Sequence, residues 1–437
     1  MDNTILIKDT TILNPKGNGV LETKKSSLLI ENDKIAKIDE NIDEKSASKI
    51  IDGKNKILMP GFVNTHTHLS MTLFRSIADD LSLDSWLNDH IWPIEAKLNK
   101  DYCYSGALLG AIEMIKSGTT TFSDMYFYMD GVAEAVDKAG IRGILSYGMI
   151  DFGDVEKRKN EIKESVSLYK NFNNSADGRI KVFFGPHSTY TCSKELLEES
   201  RVQASKYNTK LHIHMNETEK EINDVKEATG MRPFEYLNDI GFLSDDVIAA
   251  HCVWLSDKEK ALIKEKGVKV SHNPCSNMKL SSGVAPIYEM MKNNVSISLG
   301  TDGASSNNNL DMIEEMKFAS LLQKVNTLNP LALKAEEVIN MATLNGADAL
   351  GLNNEIGSIE EGKKADLILI DTREANLSPS NNLASSNIVY SANGNNVDTT
   401  ICNGKILMEN KKLNFLDEQE VYNKVNEDIK ELKDSSE

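Results

Sequence analysis

From Gly61 to about Gly351, short apolar runs alternate with helix-patterned segments, and this alternation restricts the chain more than any other feature of its sequence. Eight runs can be counted: Ile57 to His66, Thr119 to Met125, Arg142 to Ile150, Lys181 to His187, Leu211 to Met215, Val247 to Val253, Val268 to His272 and Val295 to Asp302. Strands separated by helices pair in parallel, because a parallel connection needs a long crossover. Eight such units, over at least the ~250 residues typical of a closed (β/α)8 barrel, favour that barrel over an open doubly wound sheet. No Gly-x-Gly-x-x-Gly turn follows the first run, as a dinucleotide-binding sheet would require. Residues before and after the barrel read as β: Thr4 to Ile7, Ser27 to Ile30, Lys34 to Ile38 and Lys49 to Ile51 at one end, Ile356 to Ile370 and Thr400 to Leu407 at the other. The expected fold is therefore α/β, a (β/α)8 TIM barrel over 59–355 with a small β-sandwich built from both chain termini. Residues 1–58 form its N-terminal part, and 356–437 its C-terminal part plus an acidic terminal helix with Val421, Val425 and Leu432 on its apolar face.

A barrel of this kind carries its active site at the C-terminal ends of its strands. The polar candidates fall there: His66 and His68 after the first run, His187 after the fourth, His214 after the fifth, His251 near the end of the sixth and Asp302 after the eighth. Residues i and i+2 of a strand share a face and lie roughly 6.6 Å apart, so His66 and His68 can converge on one ion, although two strand-end histidines can also simply meet solvent. In Leu211-His212-Ile213-His214-Met215-Asn216-Glu217, His214 is the candidate ligand and Glu217 the candidate acid/base. His212 shares that face but lies deeper, as a further ligand or as support behind one. Glycines flank Asp302, while Asn309 and Asp311 are better placed to cap the next helix, leaving Asp302 for the metal or its water.

Composition removes several classes of function. The chain has 49 basic and 66 acidic residues, a formal charge of -17, with no basic stripe for a nucleic-acid backbone. No apolar run approaches the roughly 20 residues of a membrane span, and the N-terminus lacks a signal-peptide pattern, so a cytoplasmic protein is expected. The five cysteines are scattered without a Cys-x-x-Cys pair, arguing against a disulfide framework or a thiolate metal knuckle.

The chain resembles the amidohydrolase superfamily, and within it the methylthioadenosine/S-adenosylhomocysteine deaminases. The residues carrying the resemblance are His66-Thr67-His68, His214-x-x-Glu217, His251, Asn273-Pro274-Cys275-Ser276-Asn277-Met278-Lys279-Leu280 and Thr301-Asp302-Gly303, and it extends over almost the whole chain. The resemblance implies that His66, His68, His214 and Asp302 bind one divalent metal, zinc with Fe2+ as the alternative. It gives Glu217 the proton-shuttle role and places His251 beside the attacking water. Pro186-His187-Ser188 offers no lysine where binuclear relatives carry a carbamylated one, so one metal is expected. Trp86 and Glu95 match positions that pack on the nucleoside and bond the ribose hydroxyls, and His187 one near the ring and sugar; the plain alternatives are a core anchor and a helix-surface acid. Some relatives place two arginines near the third strand for the distal end of the substrate. Here one position reads Tyr147, and Arg158 is the nearest candidate for the other.

The function expected is hydrolytic deamination of a 6-aminopurine nucleoside, with methylthioadenosine, S-adenosylhomocysteine and adenosine as candidates. Glu217 would protonate the ring nitrogen beside C6, and Asp302 would take a proton from the attacking water. The alternatives are a deaminase or chlorohydrolase of another aminated heterocycle, such as guanine or a triazine, and a barrel that binds without catalysis. A small-molecule substrate and a homo-oligomer are the expected partners, with no nucleic acid: the Pro-Cys-x-x-Cys signature of nucleic-acid deaminases is missing, since Pro274-Cys275 is followed by Ser276-Asn277-Met278.

Overall fold

The computed structural model describes residues 4–81, 83–380, 384–414 and 416–434. The extreme ends of the two terminal segments, 1–3 and 435–437, lie outside the described residues. Five strands precede the barrel: β1 (Thr4–Gly17), β2 (Val20–Glu31), β3 (Lys34–Asp39), β4 (Lys49–Asp52) and β5 (Lys56–Pro60). Eight form it: β6 (Phe62–Thr67), β7 (Thr119–Tyr126), β8 (Arg142–Met149), β9 (Ile180–Pro186), β10 (Leu211–Met215), β11 (Val247–His251), β12 (Lys269–His272) and β13 (Ile297–Leu299). Four follow: β14 (Leu367–Asp371), β15 (Val397–Cys402), β16 (Lys405–Glu409) and β17 (Lys412–Leu413).

Strands β6 to β13 pair in parallel in chain order, each with the next, as connections through helices dictate. The ring is nearly closed where β13 returns to β6. There the Asp302 N–H donates to His66 O at 3.0 Å, and Thr65 Oγ1 donates to Leu299 O at 2.9 Å. Gly300 sits in this seam, and a Cβ on it would press against Asn273 Oδ1 and the His66 backbone.

The terminal strands join into one mixed nine-stranded sheet, with β14 pairing antiparallel to β5. The sheet has an apolar core of its own, drawn from Ile5, Ile7, Leu28, Ile30, Leu367 and Leu369 among others. A bidentate pair at the foot of the barrel ties the two parts together: Arg142 Nε and Nη2 donate to the Asp366 carboxylate at 3.0 and 3.1 Å, with both side chains buried. Such a pair earns its keep by leaving no charge uncompensated, since losing one partner typically costs ~3–5 kcal/mol.

Several boundaries differ from those read in the sequence. The run Ile57 to His66 is two strands, because at Gly61 the chain passes from the terminal sheet into the barrel. Only glycine fits there, where a Cβ would overlap the Thr120 side chain. The helix Lys100–Ser117 is capped by Asn99, whose side chain accepts from Tyr102 N, and ends at Gly118 in the left-handed region at φ 93°. Asp311 caps Met312–Thr327 by accepting from Ile313 N, so Asp302 is not the cap of that helix; its Oδ1 accepts from Gly303 N at 2.8 Å.

Candidate active site

The C-terminal mouth of the barrel gathers four imidazoles and two carboxylates. His66, His68 and His214 bring ring nitrogens within 4.8 Å of one another, as do His66, His251 and the Asp302 carboxylate. Each ring is turned by a bond on its far side. His68 Nδ1 donates to Met125 O at 2.6 Å and His214 Nδ1 to His187 O at 2.8 Å, which turns Nε2 of both rings inward. These two nitrogens lie 3.3 Å apart. His66 Nδ1 shares a 2.9 Å bond with His212 Nε2, and His212 Nδ1 lies 3.3 Å from Ser123 Oγ. His212 therefore stands behind His66, while His66 Nε2 is buried without a hydrogen-bond partner.

The electrostatics agree with a cation at the centre. Burial lowers His66 to about 4 and His214 well below its ordinary value, so both rings are neutral donors; burial works the same way on His68, but its bond to Asp302 outweighs it and raises that ring to about 9, so a metal would displace its proton. Burial would raise the Asp302 carboxyl, but His66 and His68 beside it hold it well below the usual carboxylate range. Asp302 Oδ1 lies 3.5 Å from His66 Nε2 and 3.2 Å from His68 Nε2. Its Oδ2 accepts from Ser276 Oγ at 2.6 Å and Ser306 Oγ at 2.9 Å. Neutral nitrogen lone pairs converging with an ionised carboxylate on one point, one of them with no other partner, are a donor set that fits a divalent metal. The chain holds this geometry against backbone preference: Asn216, His251 and Asp302 have φ of 53, 73 and 61°, in the left-handed region that favours glycine.

Glu217 lies beside this cluster. Its Oε2 is 3.8 Å from His251 Nε2, its Oε1 accepts from Ser282 Oγ at 3.2 Å, and burial pushes its carboxyl up. His251 Nδ1 donates to Asn277 Oδ1 at 2.9 Å, which turns Nε2 toward the site. The loop bearing Glu217 is fixed by buried Glu221, whose carboxylate accepts from Asn216 N at 3.0 Å and Glu217 N at 2.8 Å.

A cavity of about 80 Å3 runs from this cluster to the segment after β6. Its lining includes His68, His214, Glu217, His251 and Asp302 of that cluster, His187, whose ring centroid lies 4.7 Å from that of His214, and Trp86 and Glu95. Trp86 is buried on a π-helical turn, Trp86–Ile91, and Glu95 ends the short helix Trp92–Glu95. Glu95 Oε1 accepts from Tyr126 OH at 2.5 Å, and burial pushes its carboxyl up. His187 Nδ1 is engaged with Thr191 Oγ1 at 2.9 Å, and burial lowers the ring to about 3. Through Trp92, Glu95, Phe127 and Ile150 the cavity adjoins an outer chamber of about 870 Å3 whose walls include Tyr128, Tyr147, Phe152 and Phe172.

Arg158 is not brought to either space. Its Nη1 lies 3.8 Å from Glu195 and its Nε 3.4 Å from Glu199, on the side of its helix facing Lys194–Tyr207. The neighbouring Lys157 lines the outer chamber instead. Tyr147 OH donates to Glu161 Oε1 at 3.4 Å. Tyr126, Ser282, Glu221, Ser306 and Ser123 were missed from the sequence; the one available signal was that Tyr126 continues the second barrel run by a single residue.

A barrel whose strand ends gather a His/Asp metal-binding cluster around a buried carboxyl is the frame of a metal-dependent hydrolase. Residues 57–407 match the amidohydrolase family. The 5′-deoxyadenosine deaminase of Methanobrevibacter smithii is 66% identical over 437 residues, covering 100% of this chain and 99% of that one. That of Methanothermobacter thermautotrophicus is 55% identical over 422 residues, 96% and 97% of the two chains. Among solved structures, an adenosine deaminase from Xanthomonas campestris with bound zinc superposes with a TM-score of 0.92 at 31% identity, covering 98% of each chain. The chain belongs to the amidohydrolase family and is a deaminase, an aminohydrolase of that family.

Proposed function

We propose that the chain hydrolyses the 6-amino group of 5′-deoxyadenosine and related 5′-substituted adenosines, giving the inosine derivative and ammonia. The observation that carries this reading is the single cavity with Glu217, His251 and Asp302 at one end and Trp86 with Glu95 at the other. A purine ring between the ends puts C6 by the acid/base groups and ribose hydroxyls by a carboxylate. The sequence left the 5′ group open among methylthioadenosine, S-adenosylhomocysteine and adenosine. 5′-Deoxyadenosine enters through the names of the Methanobrevibacter and Methanothermobacter relatives. Trp92, Phe127 and Ile150, which border the passage between cavity and chamber together with Glu95, suit a 5′ carbon without a hydroxyl.

In this reading His66, His68, His214 and Asp302 hold one divalent cation, zinc being the ion in the Xanthomonas structure. When bound, such an ion is a Lewis acid that brings the pKa of water toward ~7. Asp302, kept ionised by His66 and His68, accepts a proton from the attacking water and returns it to the amino nitrogen as the C6–N bond breaks, so that ammonia leaves. His251, its Nδ1 donating to Asn277, offers Nε2 as acceptor and orients that water. Glu217, whose carboxyl burial favours in the protonated form, delivers a proton to the ring nitrogen beside C6. Trp86 packs on the nucleoside, and Glu95 accepts from the ribose hydroxyls.

The test is ammonia release from 5′-deoxyadenosine, methylthioadenosine, S-adenosylhomocysteine, adenosine and guanine. 5′-Deoxyadenosine should lead adenosine by at most ~10²-fold, the limit at which an apolar pocket rejects an added hydroxyl. S-Adenosylhomocysteine should trail methylthioadenosine, because Lys157 is the only cation on the chamber walls among the described residues. Preference for guanine, or inactivity with every adenosine, would overturn the reading.

A further inference from the structure

Two short helices carry the hydroxyls that hold Asp302. Ser276, on Pro274–Lys279, places Oγ 2.6 Å from Asp302 Oδ2, and Ser306, on Ala304–Asn307, places Oγ 2.9 Å from the same atom. With Oδ2 engaged, Oδ1 stays toward His66 and His68 at 3.5 and 3.2 Å. The helices have six and four residues, too few to hold their own place in the fold. Both are tied to one side chain. Glu315, on the helix Met312–Thr327, accepts from Cys275 N at 3.3 Å through Oε2 and from Asn307 Nδ2 at 2.6 Å through Oε1. Cys275 precedes Ser276 and Asn307 follows Ser306, so the neighbour of each hydroxyl donor hangs on the same carboxyl. Asn307 Nδ2 also donates to Thr301 O at 2.7 Å, in the residue before Asp302.

We propose that Glu315 is a positioning residue for the deamination, setting the Asp302 carboxylate through Ser276 and Ser306. The inference rests on the role given to Asp302 above. Its first support is the geometry: two acceptor oxygens fix the separation of two short helices, so that both hydroxyls meet one oxygen of Asp302 and leave the other to the centre of the site. The second is the residue type. Glu315 is fully buried, and its partners are an amide, a carboxamide and the Cys275 thiol, none of them a cation. Burial pushes its carboxyl up to about 8. A carboxyl taken out of water without a cation costs stability, and an apolar side chain of similar volume would pack there at lower cost. Only its hydrogen bonds set the acid apart from such a residue. The third support is position: neither Glu315 nor Cys275 nor Asn307 lines the cavity, so substrate binding should not register its loss.

The test compares the full-length wild type, Glu315→Gln, the pair Ser276→Ala with Ser306→Ala, and all three substitutions together. Zinc affinity is measured by chelator competition, and kcat and KM for 5′-deoxyadenosine at saturating zinc. Glutamine has a single acceptor oxygen, so Glu315→Gln should release one of the two helices. Zinc binding should weaken about tenfold, within the ~10- to 100-fold that supports of this kind contribute. Because Asp302 also moves a proton, kcat should fall about tenfold even with zinc saturating, while KM stays within about twofold of the wild type. The serine pair should lose at least as much on both counts. A carboxyl that acts through those hydroxyls has nothing left to act on once they are gone, so adding Glu315→Gln to the serine pair should cost less than about twofold more. Losses that multiply instead would make Glu315 a packing residue and overturn the proposal. A costly serine pair beside a silent Glu315→Gln would overturn the proposal alone, whereas a silent serine pair would overturn the role of Asp302 on which it rests.

Discussion

At the deep end of the cavity each side chain leaves a strand terminus or the turn after it, and each is held from behind by a backbone carbonyl, a buried hydroxyl, a buried amide or a buried imidazole. His68 is held by Met125, His214 by His187, His66 by His212, and Asp302 by Ser276 and Ser306. At the shallow end, Trp86 and Glu95 sit on two short turns inserted between β6 and the helix Lys100–Ser117, and one phenol, Tyr126, donates to Glu95. The difference teaches where the fold has spent its rigidity. In the proposed reading, the groups that move protons are set by the closed barrel, while those that read the sugar and the 5′ group ride on a segment the barrel does not determine.

The largest effect should come from the deep end. His214→Ala removes one inward lone pair from a set with few to spare, so metal and turnover should be lost together, as elemental analysis beside an ammonia assay would show. An unchanged metal content would take His214 out of the ligand set. Glu217→Gln should keep about one metal equivalent and lose ~10²- to 10⁴-fold in kcat, the range for a general acid/base. His212→Phe separates holding from ligation. Loss of the bond to His66 should weaken metal affinity by ~10- to 100-fold while saturating metal restores activity; failure to restore it would make His212 more than a support. The smallest effect belongs to Arg158. Arg158→Ala should change kcat/KM for S-adenosylhomocysteine by less than about twofold, because a rim ion pair to Glu195 and Glu199 contributes ~0–1 kcal/mol and touches no cavity.

The deep end was legible in the sequence for a physical reason. Parallel barrel strands all end on the same face, so His66, His68, His214, His251 and Asp302 converge once their runs are recognised, whatever the loops do. The supporting residues were not legible, because Ser282 reaches Glu217 and Ser276 reaches Asp302 only through barrel closure, which leaves no local pattern. Arg158 shows a finer limit. One residue along a helix turns the side chain by about 100°, so Lys157 faces the chamber and Arg158 the neighbouring helix. The run Ile57 to His66 was read as one strand because both halves are apolar, and only the crowding against Thr120 at Gly61 separates them.

The reading that joins the two ends is that one cavity holds a nucleoside with its base at Glu217 and its ribose at Glu95. The most direct measurement is kcat/KM for 5′-deoxyadenosine and for 2′,5′-dideoxyadenosine, in the wild type and in Glu95→Ala, each with metal content verified. A carboxylate placed to accept from ribose hydroxyls is left with unpaired, desolvated capacity when one is missing, and sites built this way reject the lesser analogue by up to ~10⁴- to 10⁵-fold. The wild type should therefore favour 5′-deoxyadenosine by at least ~10²-fold, and Glu95→Ala should bring the ratio near one with its metal retained. Equal rates in the wild type, or a ratio that survives the loss of Glu95, would contradict the placement of the nucleoside in this cavity.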